Sequence, residues 1–143
     1  MNKILLAQTD TTVGFLSQSS QRLQEIKKRD LTKPFLKVYA DFQTLRRDIR
    51  IPSIHKHRVR YSRKTTFIVK NQAFRYVDDS EHSSLIAKYG WLYSTSANES
   101  AKQYDEIYCQ SVSDLIIEDY RGLSEKSASK IFRLTPKRLK QLR

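Results

Sequence analysis

Four short stretches of this chain carry side chains that could hold a polyanion or a small polar substrate. In YSTSAN, residues 93–98, Ser94, Ser96 and Asn98 alternate. Extended backbone puts alternate side chains on one side, so two hydroxyls and an amide would form a row of donors and acceptors suited to a triphosphate or a ribose. The same residues also read as a capping loop feeding a helix near Lys102. In EIKKRDLTKP, residues 25–34, Lys27 and Arg29 stand two apart and Lys33 follows. On a helix these side chains diverge; in extended chain they share a side. A helix fraying near Lys28 would therefore let Lys27, Arg29 and Lys33 converge on one polyphosphate, with charge-assisted hydrogen bonds contributing about 1.5–3 kcal/mol each. The alternative is a set of cations at a helix C-terminus, where the dipole favours them. Arg75 lies between Phe74 and Tyr76. If those rings face a core, Arg75 points to the other surface, to meet an anion or to pair in solvent with Asp78 or Asp79. Thr9, Asp10, Thr11 and Thr12 follow a short apolar run. They read as an ordinary turn, or as hydroxyls at the strand end where open α/β sheets bind ligands.

The elements that must position these groups are legible in outline. Ile4 to Ala7 reads as a short buried strand, Ser17 to Ser20 as a loop and cap, and Leu23 and Ile26 as one face of the helix that follows. Phe35 to Tyr39 is a second strand. Asp41 caps a helix with Phe42, Leu45 and Ile49 at helical spacing. Thr65 to Val69 and Ala73 to Val77 predict a hairpin around Asn71-Gln72. Ser80 to Tyr89 predicts a helix capped by Ser80 and ended by Gly90. Trp91 to Tyr93 is the next strand, after which the chain turns into small hydroxyl residues. Leu115 to Glu118 and Lys130 to Leu134 are late strands, and Thr135-Pro136 reads as a helix start. The expectation is an α/β (α+β) fold: one domain over residues 1–143, a twisted mixed sheet with packed helices around a basic cavity.

Composition narrows the partners. The 143 residues carry 27 Lys and Arg against 15 Asp and Glu, a net charge of +12. Such a field attracts polyanions. No apolar run reaches the roughly 20 residues that cross a bilayer, which predicts no membrane partner. Met1 to Leu6 is too short for a secretory signal. A lone Cys109 makes neither an internal disulfide nor a cysteine-rich zinc site, so a reducing, cytoplasmic setting is expected.

The four stretches, in this order, resemble the YrdC-like family of L-threonylcarbamoyladenylate synthases. The resemblance rests on TDTTVG (Thr9 to Gly14), KKR (Lys27 to Arg29) with Lys33, on Arg75, and on STSAN (Ser94 to Asn98); the tail from Ser127 to Arg143 matches more loosely. It implies an enzyme that joins L-threonine, bicarbonate and ATP, with Mg2+, into threonylcarbamoyl-adenylate and releases pyrophosphate for tRNA threonylcarbamoyladenosine formation. Carried over residue by residue, Lys27 and Arg29 would be catalytic. Lys33, Arg75, Ser94, Ser96, Asn98 and Ser129 would bind ATP, and Thr9 would seat threonine. No side-chain metal ligands are assigned. The sequence departs from the family where Tyr61-Ser62-Arg63-Lys64 stands in place of a proline-glycine-proline, where Val13 replaces an aromatic, and where Ala101 replaces a glycine. It also begins at the first strand, without the family's upstream helix. Lost glycines raise the cost wherever the backbone needs positive φ.

A competing expectation is a degenerate member that binds tRNA or double-stranded RNA by shape and phosphate. Its patch would include Arg58, Arg60, Arg63 and Lys64, with Tyr61 and Phe67 available for stacking. His55 and His57 form an HxH in this basic stretch, read as a solvated or RNA-facing pair rather than metal ligands.

Overall fold

The computed structural model describes residues 1–28 and 34–143. In chain order its elements are β1 (Leu5–Gln8), β2 (Val13–Ser17), α1 (Ser20–Lys27), β3 (Leu36–Tyr39), α2 (Phe42–Asp48), α3 (Lys56–Tyr61), β4 (Thr65–Val69), β5 (Gln72–Tyr76), α4 (Ser80–Ala87), β6 (Trp91–Ser96), α5 (Glu106–Val112), β7 (Leu115–Ile117), β8 (Lys130–Leu134) and β9 (Leu139–Gln141). Parallel and antiparallel strands mix and carry helices, as an α/β reading requires. The chain forms two compact units, Met1–Phe35 with Leu92–Ala128, and Leu36–Trp91 with Ser129–Arg143.

In the first unit β1 pairs antiparallel with β2 and parallel with β7, and β2 pairs antiparallel with β6. Its core is Ile4, Leu6, Val13, Phe15, Leu23, Phe35, Ala97 and Cys109. β2 is a strand the sequence reading did not assign, and it takes in Ser17, which was read as the start of a loop. Every residue of VGFLS is buried, so the strand lacks the polar alternation that marks a half-buried one. β6 is a second correction. It runs on through Ser94 to Ser96, so the hydroxyl residues continue the strand instead of leaving it. Asp105, not the hydroxyl and amide residues of YSTSAN, caps the helix that follows, accepting from the Ile107 and Tyr108 N–H groups.

In the second unit β5 pairs parallel with β3 and antiparallel with β4, while β8 pairs parallel with β4 and antiparallel with β9. The core is Tyr39, Leu45, Ile49, Ile51, Val59, Phe67, Val69, Phe74 and Leu134. Phe67 therefore packs inside and is not available to stack on a base. Asp41 caps α2 through the Gln43 N–H, as its position implies. The expected hairpin forms, one residue earlier than read. Lys70 and Asn71 are the two turn residues, both with positive φ (48° and 66°), the pattern that two-residue type I′ hairpins need. Asp79, not Ser80, caps α4; its carboxylate accepts from both Glu81 and His82, leaving Ser80 as the first helical residue. Thr135-Pro136 opens no helix. Thr135 Oγ1 accepts from the Lys137 and Arg138 N–H groups, and the Thr135 N–H donates to the Arg138 carbonyl, closing a tight turn into β9.

Candidate functional site

In the first unit, residues about seventy positions apart meet. Lys27 is the last residue of α1, and Lys28 ends the helix in the left-handed region (φ 53°), its N–H returning to the Gln24 carbonyl. This confirms the helix end expected at Lys28; Arg29 and Lys33 lie outside the described residues. The Lys27 side chain is buried, with 4% exposure. Its Nζ donates to the Ser96 carbonyl at 2.8 Å, to Asn98 Oδ1 at 2.5 Å and more weakly to Ser96 Oγ at 3.4 Å. These acceptors are neutral, so the ammonium charge is held in place without being cancelled by them. Ser96 Oγ donates to Asn98 Oδ1 at 2.7 Å, and Asn98 Nδ2 donates to the Lys102 carbonyl. Both sides of the amide are thus committed, which fixes its orientation.

The backbone around this triad is pinned as well. The Ala97 N–H donates to Val13 O and the Ser100 N–H to Lys27 O, at 2.9 and 3.0 Å. The Tyr108 hydroxyl donates to the Ile26 carbonyl. Ser94 does not share the exposed face with Ser96. It is 4% exposed and sits in the ladder opposite Leu16. Burial, not the alternation, separates the two serines. Glu99 is a site residue that the sequence reading missed. It bridges Lys28 (3.3 Å) and Lys102 (2.9 Å). Its pKa is lowered, first by the Lys102 hydrogen bond and then by Lys28. The signal was an acid directly after STSAN among cations.

Thr9 closes the turn it belongs to. Its Oγ1 donates to the Thr12 carbonyl at 2.6 Å and accepts from the Thr11 N–H. A strap from Asp119 to Lys126 secures this turn. Arg121 donates to the Gln8 carbonyl and to Asp119, the Ser124 N–H donates to Gln8 Oε1, and the Lys126 N–H donates to Thr12 Oγ1. Gly14, opposite Ser96 in the ladder, is needed for space. A Cβ there would stand 2.9 Å from Thr9 Cγ2 and 3.0 Å from the Thr95 carbonyl oxygen.

The second unit holds a separate hydroxyl and guanidinium cluster. Arg75 is 3% exposed, which excludes the solvent-exposed reading. Its Nη1 donates to Thr66 Oγ1 at 3.0 Å; Thr66 Oγ1 and Ser129 Oγ are 2.8 Å apart. The register that pairs Phe67 with Phe74 brings Thr66 opposite Arg75, one step on. Arg143 completes the group, with Nε donating to the Ser129 carbonyl and Nη2 to Ser129 Oγ. Thr66 and Arg143 were not singled out from the sequence, because their partners come together only through the strand pairings.

The cationic patch also resolves residue by residue. Arg58 and Arg60 are exposed on α3, with Arg60 over the Phe42 ring at 5.3 Å. Arg63 is exposed and pairs with Asp78 at 3.7 Å; Lys64 is exposed with a positive φ of 52°. The two histidines are not a pair. His55 is buried, its Nε2 within 2.9 and 3.1 Å of the Thr135 and Arg138 carbonyls, whereas His57 packs on the Tyr61 ring. Among the described residues no group of three His, Cys, Asp or Glu side chains could hold a metal ion, and no helix is long and apolar enough to cross a membrane.

Known proteins share this fold at low identity. The structure of P. abyssi Sua5 complexed with L-threonine matches with a TM-score of 0.79, at 18% identity, over 99% of this chain and 50% of that one. E. coli YciO matches with a TM-score of 0.78, at 16% identity, over 99% of this chain and 82% of that one. T. kodakarensis HypF matches with a TM-score of 0.79, at 13% identity, over 99% of this chain and 22% of that one. Among curated sequences, the Mycoplasma pneumoniae "Uncharacterized protein MG259 homolog" is 27% identical over 128 residues, 83% of this chain. This chain spans 28% of that relative and about half of Sua5. No family model matches.

Proposed function

We propose, from a chain with the YrdC-like fold, that this protein condenses L-threonine, bicarbonate and ATP into threonylcarbamoyl-adenylate for tRNA modification in the cytoplasm. The observation that carries the reading is the Lys27–Ser96–Asn98 triad, two segments brought into direct hydrogen bonding by a helix end and a strand end. Support comes from the shared fold of a Sua5 that binds L-threonine. In the reaction the threonine amine takes up bicarbonate as a carbamate with loss of water. A carbamate oxygen then attacks the α-phosphorus of ATP, forming the P–O bond as the bond to pyrophosphate breaks. Such a displacement needs alignment and charge neutralisation more than proton transfer. Lys27, with Arg29, supplies the positive charge. Ser96 and Asn98 hold that charge in place and offer hydroxyl and amide groups to phosphate, with Ser94 beneath them in the strand. Lys33, Arg75 and Ser129 take the nucleotide contacts that the resemblance gives them, and Thr9 the contact with threonine. Mg2+ would ride on the nucleotide phosphates, since Mg2+ commonly binds with few protein ligands.

The test is threonine- and bicarbonate-dependent pyrophosphate release from ATP. Wild-type protein is expected to release pyrophosphate; Asn98→Ala is expected to release about a hundredfold less or lower, the scale seen on removing one transition-state contact. Activity in wild type that persists undiminished in Asn98→Ala sinks the site assignment, and no release from wild type sinks the enzyme.

A second reading is favoured by where the charge lies. The second unit carries eighteen Lys and Arg against five Asp and Glu. A duplex RNA bound there would be held by phosphate contacts, including Arg58, Arg60, Arg63 and Lys64. Affinity should then fall steeply with salt, and Arg58→Glu with Arg60→Glu should weaken binding at least tenfold. Salt-insensitive binding, or none, removes this reading.

A further inference from the structure

The second unit contains a hollow that neither reading uses. It has a volume of about 840 Å³, inside the range of about 300–1,000 Å³ typical of small-molecule sites. It opens where three turns meet: residues 49–54 after α2, the Lys70-Asn71 hairpin turn, and residues 133–136 leading out of β8. β4 and β8 run parallel, from Thr65 and Lys130 toward Val69 and Leu134. The Arg75–Thr66–Ser129 cluster lies at the start of these strands and the hollow at their end, roughly 10 Å further at about 3.3 Å per residue. This is a different place with different residues.

Its lining has a definite chemistry. Ile49, Ile51, Val69 and Leu134 reach it from the buried core, and Ile54 stands in it at 64% exposure. Arg50, Lys70 and Arg133, one from each turn and all exposed, contribute the charge. Among the described residues, neither a carboxylate nor an aromatic ring lines it. The walls are tied down: His55 Nε2 is shared between the Thr135 and Arg138 carbonyls, so the turn that brings Thr135 and Pro136 to the hollow is anchored from beneath. A nucleobase would find no ring to stack on, and stacking supplies much of the affinity for unpaired bases. A cation would meet three like charges. What fits is an anion with an aliphatic body.

We propose that this hollow binds an aliphatic carboxylate of the fatty-acid class, its chain against the isoleucines and its head on the Arg50, Lys70 and Arg133 charges. The test uses the full chain with decanoate as probe, and decanol, acetate and anionic phospholipid vesicles as comparisons. Methyl-labelled isoleucine spectra report the site, and a melting curve reports linkage to folding. Decanoate is expected to shift the methyl signals of Ile49, Ile51 and Ile54 saturably and to raise the melting temperature. Decanol should bind at least tenfold more weakly, and acetate should leave these signals unmoved. Arg133→Gln should cost about tenfold in decanoate affinity, the scale of one charge-assisted hydrogen bond. Ile54→Asp, at a side chain exposed enough to replace without harming the core, should abolish binding. The inference is overturned if the methyl signals do not move, if decanol matches decanoate, if both variants bind like wild type, or if only vesicles bind. Pyrophosphate release should be unchanged in Ile54→Asp, so failure here and failure of the enzyme reading are separable.

Discussion

The two units carry their charge in opposite ways. Residues 1–35 and 92–128 contain nine Lys and Arg against ten Asp and Glu, a net of −1; residues 36–91 and 129–143 contain eighteen against five, a net of +13. All of the chain's excess charge therefore belongs to the second unit. The triad that suits phosphate chemistry, in which Lys27 is buried and Ser96 exposed, belongs to the first. It uses one ammonium, shielded from water and held by neutral oxygens, where an effective dielectric below that of water strengthens each interaction. The second unit spreads many exposed cations over turns and helices, where each is screened by salt. Total charge thus marks where a polyanion would be attracted, and says little about where a reaction would be organised.

The sharpest way to break this contrast is to remove charge from each unit in turn. Lys27→Met deletes one positive charge from the first unit, whose net charge is −1. Pyrophosphate release should fall by a factor of about 10² to 10³, the range for losing a preorganised electrostatic contact. Arg58→Glu with Arg60→Glu shifts the basic unit by four charges and should leave that activity within about twofold of wild type. Initial-rate assays on both variants decide it. Equal losses in the two would mean that the chemistry draws on the diffuse field and not on the triad.

How much of this could be read beforehand depended on whether the signal was local. Helix ends and caps are local, so Asp41, the stop at Lys28 and the β4–β5 hairpin were readable within a residue or so. β2 was not, because a strand buried on both faces loses the alternation that announces it. The Thr135-Pro136 error has the same root in reverse. A threonine before proline caps a helix or closes a turn with similar hydrogen bonds, and what decides is whether the following residues find a strand to pair with, as Leu139–Gln141 do on β8. In the candidate site, the alternating Ser94, Ser96 and Asn98 named the right segment. Alternation could not tell a buried serine from an exposed one. Thr66 and Arg143 escaped notice since their roles arise from pairings between distant segments; Glu99 pairs locally with Lys102 as well as with the distant Lys28.

Backbone demands give smaller effects that also differ between the units. Gly14→Ala should destabilise the first unit by about 1–3 kcal/mol, the usual cost of overpacking. The new methyl would press on Thr9 Cγ2 and on the fixed Thr95 carbonyl. Denaturant unfolding measures it directly, and an unchanged midpoint would mean that the turn at Thr9 gives way freely. At Ala101 and Lys64 residues that carry a Cβ hold positive φ, 65° and 52°. Left-handed backbone costs a residue with Cβ roughly 1–2 kcal/mol, partly offset by glycine's greater freedom in the unfolded chain. Ala101→Gly and Lys64→Gly should therefore each stabilise, by at most about 1 kcal/mol. If only one of them does, strain is confined to that unit.

The smallest effect is read in acid. Asp114 has its pKa lowered, first by the Ile4 N–H it accepts from and then by Arg22, while Asp41 is lowered first by the Thr44 hydroxyl and then by the Gln43 N–H. Both carboxylates sit below their ordinary value of 3.8 when folded. A depressed folded pKa contributes stability that is present above the unfolded value and lost as pH falls through the folded one. Acid should therefore weaken the protein from about pH 4 downward through both groups. They differ in reach. Asp41 closes the first turn of its own helix, whereas Asp114 ties residue 4 to a strand start 110 positions away. Asp114→Asn should flatten the acid limb of a pH–melting-temperature profile more than Asp41→Asn does, because local caps can persist in part when the chain unfolds and a long-range tie cannot. An equal flattening by the two variants would show that the first unit's long-range tie adds no pH dependence beyond that of a helix cap.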